Sequence, residues 1–455
     1  MRTSFKQLRF PSLGLGEHLS YRDATIPDER NAFATPCAKN VRGTCTFGDR
    51  ARGGSRPGLR RLEGTVEVVG GGKWLWPSGA AIEWPDGGVI TYTTVTQEIV
   101  APDGSVIIDP HEPFAVHCAK GAVPVSPSLC AMYRDRLFLA DGTGWYCSRI
   151  GEHGDFDYGG DGSDPARALS GNCALAGRKG ESITAFMPID DNAMFVATAR
   201  SLWVFDGDPS SGLKRVSKFT GCIGSNAWCS TPQGVIFVAL DGVYGVSDGG
   251  ARLLSGRVPF SLSGLSDALL AYDPEAKGVH IFGEKDGESC DWFLDLDGMA
   301  FWPVEVPSSM RPTAICRILQ DGVERAALNG ADGVWRTFHA EQQTDDGEPL
   351  ESEVVIGPFR VSARDDLDGM VDEVHATLGE GSGDISVSVF ASESAEGAVS
   401  DAESASGSGH SVSAGRNKVF RPRRRGAWAT LSLSATSSWA YEGITVSLKL
   451  LGRLR

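Results

Sequence analysis

Between residues 128 and 340, short apolar strands alternate with polar turns in a repeating unit. Each unit begins with a short strand that contains an aromatic or sulfur-bearing residue. A second strand rich in β-branched or aromatic residues follows, and a turn with Gly, Asp or Ser leads to a third strand centred on an aromatic residue. The second strands are Asp135–Leu139, Ala193–Ala197, Val235–Ala239, Val279–Phe282 and Val323–Ala327. The aromatic centres are Trp145, Trp203, Tyr244, Trp292 and Trp335, spaced 58, 41, 48 and 43 residues apart.

A repeat of mostly forty-odd residues, with three or four strands per unit, predicts a β-propeller. The longer first spacing contains the Gly/Asp-rich stretch after Ile150, which we interpret as a loop insertion. Residues 62–127 are also rich in strand-forming residues and are expected to supply a blade or to close the ring. The sequence therefore predicts a propeller of about six blades over residues 62–340.

The composition changes on both sides of this body. After the polar segment 341–347, alternating strands predict a C-terminal β-sandwich over residues 341–455. Within it, residues 391–414 are rich in Ser, Ala, Gly and Glu, which predicts a mobile loop. Residues 1–61 contain turn-forming Gly and Pro and predict an irregular N-terminal arm. The fold class expected is all-β.

Composition narrows the functional classes. With 41% hydrophobic and 22% charged residues, the 455-residue chain resembles an ordinary globular protein. A net charge of −15 argues against general nucleic-acid binding, because phosphate contacts need Lys and Arg. The N-terminus lacks the apolar region of a signal peptide, and no apolar run reaches membrane-spanning length. We expect synthesis in a cytoplasm and no membrane span.

Two basic segments stand out against this acidic background. They contain Arg50, Arg52, Arg56, Arg60 and Arg61 near the N-terminus, and Arg421, Arg423, Arg424 and Arg425 near the C-terminus. Local arginine in a chain of net negative charge suits head-to-tail electrostatic pairing between copies, or contact with DNA. Solvated loop charge, or charge that protects strand edges, is the alternative.

Candidate catalytic and metal-binding groups are sparse. Asp155, Asp157, Asp161 and Asp164 lie in a Gly-containing stretch that could offer oxygen ligands to Ca²⁺, but the spacing is not that of an EF-hand, and plain turns use the same residues. One Gly-x-Ser-x-Gly motif centres on Ser247, but a hairpin context replaces the strand-to-helix turn of a nucleophile elbow. The sequence predicts no metal, no cofactor and no enzymatic activity.

Several motifs together carry a family resemblance. They are Asn40-Val-Arg42, Gly53-Gly-Ser-Arg-Pro-Gly58, Tyr133-Arg-Asp-Arg-Leu-Phe138, Ser148-Arg149, Asp155-Phe-Asp-Tyr158, Asp164-Pro-Ala-Arg-Ala-Leu169, Glu181–Ile189, Thr198–Pro209, Arg421-Pro-Arg-Arg-Arg-Gly426 and Gly452–Arg455. As a set they resemble structural tail proteins of double-stranded DNA phages, in particular the nozzle (tubular tail protein B) type of short-tailed phages. This chain is shorter than the large nozzle proteins, so an adaptor or other neck component fits the resemblance equally.

The resemblance implies a virion structural protein of the tail or neck. Its copies would form a ring, six- or twelve-fold, below the portal, in contact with portal, adaptor and other tail proteins. Genomic DNA would pass through the lumen without sequence-specific binding. The alternative function is a β-propeller binding module that recognises a host glycan or a partner protein.

Overall fold

The computed structural model describes residues 3–17, 34–47, 50–62, 118, 120–124, 127–159, 161–174, 180–247, 250–320, 322–339, 341–362, 367–404 and 409–453, with short strands between 67 and 116. Up to residue 121 the strands are β1 (Thr3–Leu8), β2 (Ala34–Lys39), β3 (Val41–Phe47), β4 (Arg50–Ser55), β5 (Gly58–Arg61), β6 (Glu67–Val68), β7 (Gly72–Leu75), β8 (Ala81–Trp84), β9 (Ile99–Val100), β10 (Val106–Asp109), β11 (Ala115–Val116) and β12 (Lys120–Gly121).

Between residues 129 and 339 the strands are β13 (Leu129–Tyr133), β14 (Arg136–Asp141), β15 (Gly144–Cys147), β16 (Asp155–Phe156), β17 (Leu169–Asn172), β18 (Ile183–Asp190), β19 (Ala193–Thr198), β20 (Leu202–Asp206), β21 (Lys214–Ser217), β22 (Trp228–Thr231), β23 (Gly234–Ala239), β24 (Gly242–Ser247), β25 (Gly250–Leu253), β26 (Ser266–Asp273), β27 (Gly278–Lys285), β28 (Glu288–Ser289), β29 (Asp291–Asp295), β30 (Ala300–Val304), β31 (Pro312–Gln320), β32 (Val323–Gly330) and β33 (Trp335–His339).

The C-terminal strands are β34 (Ser352–Arg360), β35 (Leu367–Leu378), β36 (Ile385–Ser392), β37 (His410–Val412), β38 (Gly415–Arg416), β39 (Arg424–Arg425), β40 (Trp428–Ala435) and β41 (Tyr441–Arg453). The helices are a 3-10 turn at Pro209–Ser211, α1 (Pro259–Leu262) and α2 (Ala395–Glu403). None of these helices has the length and apolar content needed to cross a bilayer.

Five antiparallel sheets built on four-stranded meanders form the propeller blades. Blade A contains β13, β14, β15 and β17, blade B β18–β21, and blade C β22–β25. Blade D contains β26, β27, β29 and β30, and blade E β31–β33 with β5. Strands such as β23 are buried at almost every position, because neighbouring blades cover both faces. The predicted all-β fold, with a propeller and a C-terminal β-sandwich, is confirmed.

The blades follow one another around a ring. The first strand of each blade contacts the first strand of the next, from β13 through β18, β22 and β26 to β31. The β7–β8 hairpin fills the remaining gap, since β7 contacts β31 and β8 contacts β13. Aromatic rings join adjacent blades, as where Trp145 meets Phe205 edge-on at 4.8 Å between ring centroids. The hairpin therefore occupies the position of a sixth blade.

The predicted irregular arm over residues 1–61 is wrong for β1–β5, which are strands, whereas residues 9–17 form no strand. Strand β5 forms the outer strand of blade E, and β3 and β4 form a hairpin. Gly54 lies within β4 because the strand passes against the sandwich, where a Cβ would lie 2.2 Å from the Trp439 carbonyl oxygen. A glycine that indicates a turn in the sequence serves here for close backbone approach.

The sandwich consists of two five-stranded sheets, and both include N-terminal strands. The first sheet has the order β1–β41–β35–β38, with β39 also paired to β35, and the second has the order β2–β34–β40–β36–β37. Residues Thr3–Leu8 pair with β41 over their full length. The predicted bounds of the sandwich, residues 341–455, therefore omit β1 and β2, which belong to its two sheets but come from the other end of the chain.

The predicted mobile loop at 391–414 is also wrong in its described part. Helix α2 occupies Ala395–Glu403, and the Ser394 side chain caps the helix by accepting a hydrogen bond from the Gly397 amide. Ala395, Ala398, Val399 and Ala402 are buried, and the Thr430 hydroxyl donates to the Ala398 carbonyl. Small side chains let the helix lie close to the sheet, so a segment without large apolar residues still folds. Residues 405–408 lie outside the described part.

Candidate subunit interface

Arg56 does not lie on a surface, which corrects its prediction as a subunit or DNA contact. It is 1% exposed between the propeller and the sandwich. Its guanidinium forms a two-pronged pair with Asp345, at 2.9 Å from Nη1 to Oδ1 and 2.6 Å from Nη2 to Oδ2. Nε donates to Asn40 Oδ1 at 2.8 Å, and Nη2 donates to the Glu305 carbonyl at 2.8 Å. Arg56 therefore joins three separate chain segments.

Asn40 completes this junction from the opposite side. Its side-chain nitrogen donates to the Glu351 carbonyl at 2.8 Å, and its side-chain oxygen accepts from both Arg56 and the Glu305 amide. The backbone at Asn40 has a φ of 51°, a left-handed conformation that asparagine tolerates better than most residues. Two motifs of the family resemblance, around Asn40 and around Arg56, thus meet at the propeller–sandwich junction.

An aromatic cluster with buried polar groups, for which no sequence pattern gave a signal, lies next to this junction. The Arg42 guanidinium carbon sits 3.6 Å from the Phe293 ring centroid, and the fully buried His280 ring stacks on Phe338 at 4.5 Å. Burial lowers the pKa of His280, although its neighbour Asp273 acts in the opposite direction. The cluster belongs to the interior and supports the junction rather than forming an open site.

The other N-terminal arginines differ in their surroundings. Arg52 pairs with Glu442 at 2.9 Å, joining β4 to the sandwich. Arg61 pairs with Asp346 at 2.5 Å, and Asp346 also accepts from the buried Arg336. Arg60 is exposed, whereas the Arg50 side chain lies outside the described part of the structure. The predicted N-terminal basic surface is therefore mostly engaged in internal ion pairs.

The C-terminal arginines lie together on the surface. Arg421, Arg423, Arg424 and Arg425 are all exposed and belong to a segment along the free side of β35. Arg421 pairs with Glu373, with 2.7 Å between Nη2 and Oε1. Arg416 and Lys418 extend the same exposed row. We call residues 416–425 the arginine strip, and it is the part of the predicted contact surface that the structure brings together.

The four aspartates of the proposed calcium loop are used in local turns. Asp155, Asp157, Asp161 and Asp164 each accept a hydrogen bond from the backbone amide two residues onward, at 2.9–3.0 Å. Asp164 also pairs with Arg149 at 2.7 Å, and these hydrogen bonds lower its pKa. Among the described residues, no group of three or more His, Cys, Asp or Glu side chains is placed to hold a metal ion.

Ser247 ends strand β24 in a hairpin, as expected, and its side chain lies outside the described part.

An open groove of about 480 Å³ crosses the outer face of the first sandwich sheet. Phe5, which is 69% exposed, lines it together with His375, Asn417 and Glu442. Sequence patterns gave no signal for this groove, because its sides come from both ends of the chain.

No protein-family model and no curated protein matches the chain. Among solved structures, it is similar to the extracellular domain of a one-component system from B. thetaiotaomicron, with 14% identity and a TM-score of 0.34, over 76% of this chain and 42% of that domain. It is also similar to an S. cerevisiae complex containing nup159, gle1 and dbp5 (7% identity, TM-score 0.31, 61% of this chain and 80% of that chain). TolB from Acinetobacter baumannii gives 12% identity and a TM-score of 0.29, over 60% of this chain and 66% of TolB. At TM-scores below 0.5 these likenesses support no conclusion about function.

Proposed function

We propose that this protein is a non-enzymatic structural subunit of the tail or neck of a double-stranded DNA phage. In this proposal, several copies form a ring around the DNA channel below the portal, as a nozzle or an adaptor. The observation that carries the proposal is the junction at Arg56, where two motifs of the family resemblance meet and fasten the propeller to the sandwich. A channel wall needs such stiffness, because it must hold its shape while DNA passes under pressure.

The junction suits this mechanical role. Arg56 and Asp345 are 1% and 2% exposed, so solvent does not screen their attraction. Removing one partner of such a buried pair leaves an uncompensated charge, which makes separation of the two domains costly. The two domains would therefore move as one body, and a force applied to one would pass to the other.

The charge of the chain is compatible with DNA passage. A protein of net charge −15 offers few phosphate contacts, so DNA could slide past it without being retained. Portal, adaptor and other tail proteins would bind the two ends of the ring. The six- or twelve-fold symmetry and the location in the virion come from the family resemblance.

Electron microscopy of the purified chain tests this function. The expected result is a closed ring with a central channel wide enough for duplex DNA. Negative staining across a range of protein concentrations separates a weak ring from a monomer. Isolated monomers at every concentration, with no binding to portal or tail proteins, would contradict the proposal.

A second candidate function is a binding module for a host glycan. The groove beside Phe5 favours it, because an exposed ring flanked by amide, imidazole and carboxylate groups can stack on a sugar and bond its hydroxyls. Glycan-array binding that is lost in a Phe5→Ala variant would support this candidate. The matched control is Phe219→Ala, because Phe219 is also an exposed phenylalanine, whereas a buried one such as Phe359 would test stability instead.

A further inference from the structure

Charge is sharply divided along the C-terminal part of the chain. Residues 381–415 contain five acidic side chains and no Lys or Arg. The arginine strip that follows contains six cationic side chains and no acidic one. The arginine strip pairs with the first sheet and the acidic segment belongs to the second, and the two meet where Phe420 stacks on His410 at 4.4 Å between ring centroids.

The arginine strip is held rigidly against the first sheet. It runs antiparallel to β35, with Arg416 opposite Thr377 and Arg424 opposite Val371. Between these points, Phe420 exchanges backbone hydrogen bonds with Val374 in both directions, at 2.9 and 3.3 Å. The strip is therefore an ordered edge that is paired to β35 at three points along its length.

The acidic segment contributes β36 and β37 to the second sheet and helix α2 to the layer outside it. Helix α2 packs on the face of the second sheet that carries Thr430, away from the first sheet. Glu393, Asp401 and Glu403 are exposed on and beside this helix. We call these three side chains the acidic helix face.

The position of two of these acids is unfavourable within a single copy. Asp401 and Glu403 lie in the last turn of α2, where the helix dipole is negative and basic residues are preferred. No basic residue occupies that turn. A cation brought in from outside would satisfy both the carboxylates and the helix end.

We propose that the arginine strip of one copy docks onto the acidic helix face of the next copy. This inference rests on the proposed function as an assembly of identical subunits, and it names the interface that joins them. Because the two surfaces differ, the contact is head-to-tail, and repetition of a head-to-tail contact closes a ring when the rotation allows it.

A second copy fits the strip better than nucleic acid does. Outside the two termini the chain is strongly acidic: residues 62–414 carry 52 Asp and Glu against 22 Lys and Arg. Such a body repels a polyanion that approaches the strip, whereas docking onto another copy neutralises both surfaces at once. DNA binding by the strip is the other outcome that the experiment below can detect.

Edge protection is the competing explanation for the strip, since charged residues on an edge strand prevent aggregation. Charge reversal separates the two explanations. Glutamate protects an edge as well as arginine does, but it repels an acidic helix. The test variants are therefore Arg423→Glu/Arg424→Glu/Arg425→Glu for the strip and Glu393→Lys/Asp401→Lys/Glu403→Lys for the helix face.

Light scattering coupled to size-exclusion chromatography measures assembly of the full-length variants. Each variant alone is expected to associate at least about a hundredfold more weakly than the wild type, because like charges then face each other. An equimolar mixture of the two variants should assemble again, since every contact in an alternating ring pairs opposite charges. Circular dichroism confirms that each variant is folded.

The matched control is Arg215→Glu/Lys218→Glu/Arg252→Glu, which makes the same change in net charge at exposed sites on blades B and C. It should assemble like the wild type. Wild-type assembly that survives reversal of the strip, or a mixture that fails to reassemble, overturns the interface while leaving the ring proposal standing. If the strip variant assembles like the wild type but no longer binds duplex DNA, the strip is a DNA-binding surface instead. A monomeric wild type would overturn both proposals.

Discussion

The buried Arg56–Asp345 pair allows a quantitative prediction for the junction. Arg56→Met fills much of the same volume but removes the guanidinium, which makes two hydrogen bonds to Asp345 and others to Asn40 and to two backbone carbonyls. The Asp345 carboxylate would keep the Leu59 amide, at 3.0 Å, and would remain 2% exposed in its present position.

An unpaired charge at such a site lowers the free energy of unfolding by about 3–5 kcal/mol. This is a large fraction of the roughly 5–15 kcal/mol that stabilises a typical folded domain. Equilibrium unfolding in urea, followed by tryptophan fluorescence and by far-ultraviolet circular dichroism, measures the loss. Because Arg56 joins two domains, the two signals should separate in the variant, with the less stable domain unfolding first.

Arg61→Ala is the matched control, since Arg61 also pairs with an aspartate but its side chain is 58% exposed. It should cost less than about 1 kcal/mol. Replacing both partners, as Arg56→Met/Asp345→Leu, should recover part of the lost stability, because no isolated charge remains. Equal losses for Arg56→Met and Arg61→Ala would refute the argument from burial.

Three further results are expected. Burial raises the pKa of Asp291 to about 6 despite the nearby Arg311, so the stabilisation by the protonated carboxyl is present below about pH 4 and is lost as the pH rises through 6. The free energy of unfolding in urea, measured from pH 4 to 7, should fall by up to about 3 kcal/mol from this group. Asp291→Asn should abolish that part of the fall. Ser394→Ala removes the cap of α2 and should cost about 1 kcal/mol in the same assay, whereas Ser400→Ala should cost little. Calorimetry should detect no Ca²⁺ uptake, since turn amides and Arg149 already engage the aspartates around Asp161; stoichiometric uptake would revive the metal site.

The repeated units of the propeller could be predicted from the sequence because their strands pair locally. The predicted strand at Val235–Ala239 lies within β23, and all five aromatic centres fall in the third strand of their blades, as Tyr244 does in β24. Local alternation and tight turns specify such meanders without reference to distant segments.

The errors have a common physical origin in contacts between distant parts of the chain. Nothing near Thr3–Leu8 indicates that its partner is β41, and nothing near Arg56 indicates that Asp345 will bury it. Arg56 and Arg60 are equivalent in the sequence, yet one is interior and the other exposed. Helix α2 was missed because its buried face consists of alanines and one valine, which carry a weak apolar signal.

The pairing of β1 with β41 has a consequence for biosynthesis. Translation at roughly 5–20 residues per second separates the two strands by about 20 to 90 seconds. During that interval β1 has no partner strand, and β5 likewise stays unpaired until β33 of blade E has been translated. A strand that is translated long before its partner is thus among the last to pair, so the fold is completed only after β41 has been translated. Chaperones that shield unpaired strand edges have this period in which to act.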